Sequence, residues 1–287
     1  LKRLLIATAI AVAASAVSAT AAGAETIYSA TTSTATAGNG PAFNFETGQA
    51  SEFGDQIVVP SDNPDGYIPT SVKVQLDSSA CQEGTATGAY CYSAAGSTFS
   101  VPMTLNLYAA NSGNPDLPGP TIDSFTQTVT VPFRPSSNPS KCHGANAGQF
   151  YLGSAGTCLT AKPFTVTFKV GGNGIQLSAG TSMIASVAYD TSDYGYNPIG
   201  DDPSCYGVVG PFGTIAGCPY DNIGVVLSPS VTTGSETNPG AVWLNAANSS
   251  DYCDGTPTAG KLTLDSPTSS CFTGDVPAIQ VNANPAP

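Results

Sequence analysis

Phe164-Thr165-Val166-Thr167-Phe168-Lys169-Val170 places an apolar side chain at every second position and a polar or charged one between. Successive side chains of a strand point to opposite faces, so the stretch predicts a strand buried on one face and solvated on the other. The same period recurs. Val72, Val74 and Leu76 alternate with Ser71, Lys73, Gln75 and Asp77; Met103, Leu105 and Leu107 alternate with Thr104, Asn106 and Tyr108; Val129, Val131 and Phe133 follow Thr128 and Thr130. Further strands are expected over 55–60, 181–189, 222–228, 241–245, 261–265 and 278–282. Many short strands rich in β-branched and aromatic residues, separated by turn residues, predict an all-β chain: a β-sandwich or jelly-roll-like domain. Helix is expected only in the N-terminal leader.

That leader has Lys2 and Arg3, an apolar run over 4–17, and the small triplet Ala22-Gly23-Ala24 before Glu25. It reads as a secretory signal over 1–24, leaving 25–287 as a single large β-sandwich domain with long stapled loops. No second apolar stretch approaches the ~20 residues of a membrane helix, so no membrane span is expected. Neither a hydrophobic tail nor an LPxTG sorting motif precedes Pro287, which predicts a product released or loosely associated with the cell surface.

Without Lys2 and Arg3 the chain holds six basic residues against twenty acidic ones, a formal charge of −14. A surface this acidic repels nucleic acid and anionic lipid, both of which need a basic face. It suits cation binding or plain solubility. Hydrophobic content of 41% exceeds that of a disordered chain, so a core is expected.

Three long Gly/Ser/Asn/Pro-rich stretches, 78–100, 135–162 and 191–221, interrupt the strands. Loops of such length need a function or a tie. Each carries two cysteines: Cys81 and Cys91, Cys142 and Cys158, Cys205 and Cys218; Cys253 and Cys271 flank the 261–265 strand. In an oxidising compartment these thiols form disulfides. Nearest-neighbour pairing, the arrangement expected here, spans 10, 16, 13 and 18 residues. No CxxC pair occurs and His143 is the only histidine, so neither a metal centre nor a cofactor is expected.

Catalytic vocabulary is sparse: HExxH, GxSxG, a Walker loop and CxxCH are all absent. His143 sits beside Cys142 in a stapled loop and reads as solvated. Glycoside hydrolysis needs only two carboxylates. The closest mixed acid pair is Glu52 and Asp55, in Ser51-Glu52-Phe53-Gly54-Asp55, expected at the start of a strand in capping or turn roles. Asp62-Asn63-Pro64-Asp65-Gly66 reads as a turn. The densest polar-aromatic segment runs over 189–221. Within it Tyr194, Tyr196, Asn197, Asp201 and Asp202 are the candidate ligand-binding residues: tyrosines stack on sugar rings while Asn and Asp take hydroxyls. The same acids suit Ca²⁺ by density though not by spacing, and the tyrosines also suit the packing of a loop closed by Cys205 and Cys218.

Ser51-Glu52-Phe53-Gly54-Asp55, Leu105-Asn106-Leu107-Tyr108, Pro132-Phe133-Arg134-Pro135-Ser136, Tyr194-Gly195-Tyr196-Asn197-Pro198-Ile199-Gly200 and Pro219-Tyr220-Asp221 resemble segments of a group of uncharacterised bacterial secreted β-proteins. Some members of that group carry a PEP-CTERM surface-sorting tail. The resemblance implies a bacterial exported β-protein and brings no site residues with it. Sequence therefore predicts a non-enzymatic extracellular sandwich that associates with a surface or binds extracellular polysaccharide or other cell-surface components. Its rivals are a carboxylate-dependent glycoside hydrolase and a structural coat or filament subunit.

Overall fold

A computed structural model describes residues 23–45, 48, 50–84, 91–171, 174–189, 223–246, 252–253, 260–265, 272 and 275–287. In chain order the first strands are β1 (Glu25–Ser29), β2 (Ala42–Asn44), β3 (Ala50–Val58), β4 (Tyr67–Ser78), β5 (Glu83–Gly84), β6 (Cys91–Tyr92), β7 (Thr98–Ala109) and β8 (Thr121–Pro132). They are followed by β9 (Phe150–Leu152), β10 (Thr157–Leu159), β11 (Lys162–Lys169), β12 (Ser182–Tyr189) and β13 (Ile223–Ser228). The last are β14 (Ser235–Glu236), β15 (Val242–Ala246), β16 (Thr263–Asp265), β17 (Val276–Pro277) and β18 (Ile279–Pro285).

Two sheets form the layers of a sandwich. The first runs β1-β18-β4-β13-β17, with β11 along the opposite edge of β4 and β2 on β13. The second runs β16-β15-β3-β12-β7-β8, with β14 also on β3. The alternating residues read from sequence meet between them. Val72, Val74 and Leu76 of the first sheet share one buried cluster with Met103, Leu105, Leu107, Val129 and Val131 of the second. Period-2 patterning thus reports the inward face correctly on β4, β7, β8 and β11.

Helix is not confined to the leader. A short α1 (Thr34–Asn39) follows β1, started by Ser33, whose Oγ accepts the Thr36 N–H at 3.2 Å. The segment lies over the outer face of the first sheet, where Gln75 accepts the Thr32 N–H at 2.7 Å and donates to the Thr32 carbonyl at 2.9 Å. Ala37 of α1 packs on Val226 and Ala278. Six residues leave no room for a visible helical period, so only the cap marks α1 in the sequence.

Cys81 pairs with Cys91 and Cys142 with Cys158, the expected neighbours. No described cysteine is free, and Cys253 is disulfide-bonded too. Cys205, Cys218 and Cys271 lie outside the described residues, as does the leader over 1–22.

The Asp62–Gly66 turn is observed as read. Gly66 N–H donates to the Asn63 carbonyl at 2.9 Å, and Gly66 itself is left-handed at φ +81°. A Cβ there would overlap the Leu177 carbonyl oxygen, which accepts the Tyr67 N–H at 2.9 Å. Gly66→Ala therefore has to combine backbone strain with a lost bridge. We expect a loss of about 2 kcal/mol, read as a lower midpoint in urea denaturation.

Candidate functional site

Tyr194, Tyr196, Asn197, Asp201 and Asp202 lie outside the described residues. Their segment leaves the second sheet after Tyr189 and re-enters the first at Ile223, and both flanks are anchored in the core. Tyr189 is 1% exposed and meets Phe45 edge-on at 5.6 Å between ring centroids. It is therefore a core residue and not the first member of a binding loop. At that end of β12 an open groove is lined by Ser51, Glu52, Pro102, Thr104, Ala188 and Tyr189.

Glu52 and Asp55 do not stand at the start of a strand but inside the nine-residue β3. Three residues apart on a strand, they face opposite sides. Glu52 lies on the outer face. Its Oε1 accepts from Asn106 Nδ2 at 2.9 Å, Tyr108 Oη at 3.0 Å and the Ser186 hydroxyl. Asn106 Oδ1 in turn accepts from Ser124 at 2.7 Å, so one polar network crosses four strands. Gly54, between the acids, leaves no space for a Cβ against β12 and has Trp243 opposite it on β15. Acids and a glycine lower strand propensity, which is why the first half of β3 reads as a turn.

Asp55 lies between the sheets, 2% exposed. Its Oδ2 accepts the Tyr28 hydroxyl of the opposite sheet at 2.7 Å, and its Oδ1 accepts the Gln56 N–H at 2.8 Å. Burial raises its carboxyl to about 6 despite both bonds, and burial together with the Asp55 charge pushes the Tyr28 phenol upward. A third group joins them from β14. Residues 232–236 form a strap between the layers: Thr232 N–H donates to the Ser29 carbonyl at 2.7 Å, while Glu236 pairs with Ile57 on β3. Glu236 Oε2 is buried without a hydrogen-bond partner. Burial, then repulsion from Asp55, raises Glu236 to about 7.

A second buried acid occupies a position that alternation predicts to be on the solvated face of β4. Asp77 does face outward, yet it is only 5% exposed: the α1 segment packs on that face, and β2, paired with β13 in the same sheet, sets Asn44 beside Gly224. Its Oδ1 and the Asn44 Oδ1 both abut Gly224 and both lack a donor. Burial raises Asp77 to about 7. Tyr28, Asp77 and Glu236 were missed because nothing local in sequence marks a polar residue as covered from another layer.

These acids can hold protons, but Asp55 and Asp77 are closed to substrate. His143 is exposed and makes no side-chain capping bond to the turn it precedes. Among the described residues no cluster of three or more His, Cys, Asp or Glu is placed to hold a metal ion. Among them, too, no helix is long and apolar enough to cross a membrane. Comparison with known proteins finds no matching family model, no matching curated protein and no matching solved structure.

Proposed function

We propose that this chain is an exported bacterial β-sandwich without catalytic activity, which binds extracellular polysaccharide or a related cell-surface component through Tyr194, Tyr196, Asn197, Asp201 and Asp202 and the adjoining groove. The groove at the end of β12 carries this reading. It is lined by Ser51, Glu52 and Thr104 together with Pro102, Ala188 and Tyr189, and it adjoins the point where the Tyr/Asn/Asp-rich segment departs from a rigid strand. Sugar recognition needs this pairing of aromatic faces with fixed polar groups. Among the described residues the aspartates raised by burial, Asp55 and Asp77, sit where no glycosidic bond reaches them, which favours binding over hydrolysis.

Polysaccharide pull-down and a glycan array test the proposal. The full-length protein is expected to retain at least one extracellular polysaccharide. Tyr194→Ala combined with Tyr196→Ala is expected to weaken retention at least tenfold, about 1.4 kcal/mol. Retention unchanged by the pair removes the carbohydrate reading. Turnover of the polysaccharide, abolished by one Asp→Asn change, replaces it with the glycoside hydrolase.

A further inference from the structure

We infer that the free edge of β8 is a pairing surface for a second copy of this chain, the two β8 strands joining antiparallel about a two-fold axis at Thr128. β8 is twelve residues long and ends its sheet, with β7 as its one strand partner among the described residues. The hydrogen bonds of β7 show which backbone groups remain. Ala110 N–H donates to Ser182 at the end of β12, whereas Ala109 N–H donates to Pro120 at the start of β8. Alternation back along β7 sends the odd-numbered groups to β8 and the even-numbered ones to β12. Pro102, which lacks an N–H, falls on the β12 side beyond the last β12 pair at Met103.

The register Val101↔Val129, Met103↔Gln127 and Leu105↔Phe125 then occupies the odd residues of β8. Ser124, Thr126, Thr128 and Thr130 direct their N–H and C=O groups at the open edge. Ser124 N–H is already taken by Asp123 Oδ1 at 2.8 Å. Three consecutive even positions therefore remain, symmetric about Thr128.

Edge strands are ordinarily protected by charge, proline or a bulge. The neighbouring edge has that protection: β11 carries Lys162 and Lys169 at its ends and Pro163 within. From Ser124 to Val131 β8 has neither a charge nor a proline, and its bulge lies before this stretch. With only six basic residues outside the leader, two at β11 and none on β8 is an uneven allocation.

Pairing centred on Thr128 sets it against its own counterpart and Thr126 against Thr130, using every open N–H and C=O of the three threonines. It keeps the exposed hydroxyl row continuous on the outer face. On the inner face it sets half-buried Phe125 opposite Val131. Side-chain parity holds in both layers, so the interface is isologous and closes at two copies.

Sedimentation equilibrium of the full-length protein, from micromolar to sub-millimolar, is expected to show twice the chain mass at the upper end. Thr128→Lys places two ammonium groups directly opposite across the axis and is expected to weaken association at least tenfold. The Thr128 side chain is exposed, so the circular-dichroism spectrum should not change. A hydrogen-bonded antiparallel pair brings Cα atoms to about 5.5 Å, within disulfide range. Oxidised Thr128→Cys protein is thus expected to form a covalent dimer, and Thr165→Cys on β11 is not. A monomer at all concentrations, association unaffected by Thr128→Lys, or failure of Thr128→Cys to cross-link overturns the inference.

Discussion

The protein is expected to melt at a higher temperature at pH 5 than at pH 8, the reverse of a fold held by salt-bridged carboxylates. Asp55 at about 6, Asp77 at about 7 and Glu236 at about 7 all lie above their unfolded values. The native state therefore binds more protons than the unfolded chain between about pH 4 and 7, and stability falls as pH rises through that window. Their contribution is complete below the unfolded pKa and gone above the folded one. For the two buried aspartates it is on the order of 3 kcal/mol each; Glu236, half-exposed, contributes less. At a few degrees per kcal/mol in a domain of this size, the expected gain is roughly 10 °C or more between pH 8 and 5.

Structure identifies the source. A proton on Asp77 removes the charge from a buried carboxyl whose Oδ1 has no hydrogen-bond partner and gives the group a donor. A proton on Glu236 relieves its repulsion with Asp55 beneath the strap. Surface repulsion in an acidic protein pushes the same way, so single variants separate the two causes. Asp77→Asn supplies a permanent donor and should raise the melting temperature at pH 8 while flattening the profile. Asp55→Asn should flatten it too, since an amide keeps an acceptor for Tyr28 without the charge. Calorimetry across pH 4–8 is the measurement, and a profile that rises toward pH 8 contradicts this assignment.

Sequence legibility followed the distance over which each feature is determined. The inward faces of β4, β7, β8 and β11 come from alternation within single strands, and the structure repeats them. The two fully described disulfides close short loops and join neighbours for the same reason. Features set by distant parts of the chain were not legible. Asp77 reads as solvated until the α1 segment packs on that face. Tyr28 and Asp55 are 27 positions apart and meet only because their strands belong to opposite layers. Glu52 and Asp55 look paired in sequence and are separated by the thickness of a sheet. Trp243 of β15 is buried on the outer face of the second sheet among Ile184 and Leu262, a cluster no single strand encodes.

Arg134→Ala is expected to lower stability by about 3–5 kcal/mol, a loss of roughly 10 °C in melting temperature. In sequence Arg134 stands out only within Pro132-Phe133-Arg134-Pro135-Ser136, where nothing suggests an interior cation. It is completely buried. Its Nε donates to the Thr160 carbonyl at 2.5 Å, Nη2 to the Gly148 carbonyl, and the guanidinium stands 5.7 Å from the Phe150 ring centroid. Burial lowers its pKa only to about 10, so the charge persists at neutral pH, balanced by carbonyl dipoles. The side chain thereby fastens the middle of the loop closed by Cys142 and Cys158, at Gly148, and the chain just beyond it, at Thr160, to the segment that follows β8. Alanine leaves a cavity and takes the guanidinium donor from the Thr160 carbonyl, while the Gly148 carbonyl keeps the Ser137 hydroxyl at 2.6 Å. Lysine keeps the charge but lacks the planar fork that reaches Thr160 and Gly148 together, so Arg134→Lys should recover less than half of the loss. Urea denaturation of both variants, with amide exchange read over 135–162, checks the assignment. If Arg134→Lys is as stable as the parent, charge alone suffices and the fork geometry is irrelevant.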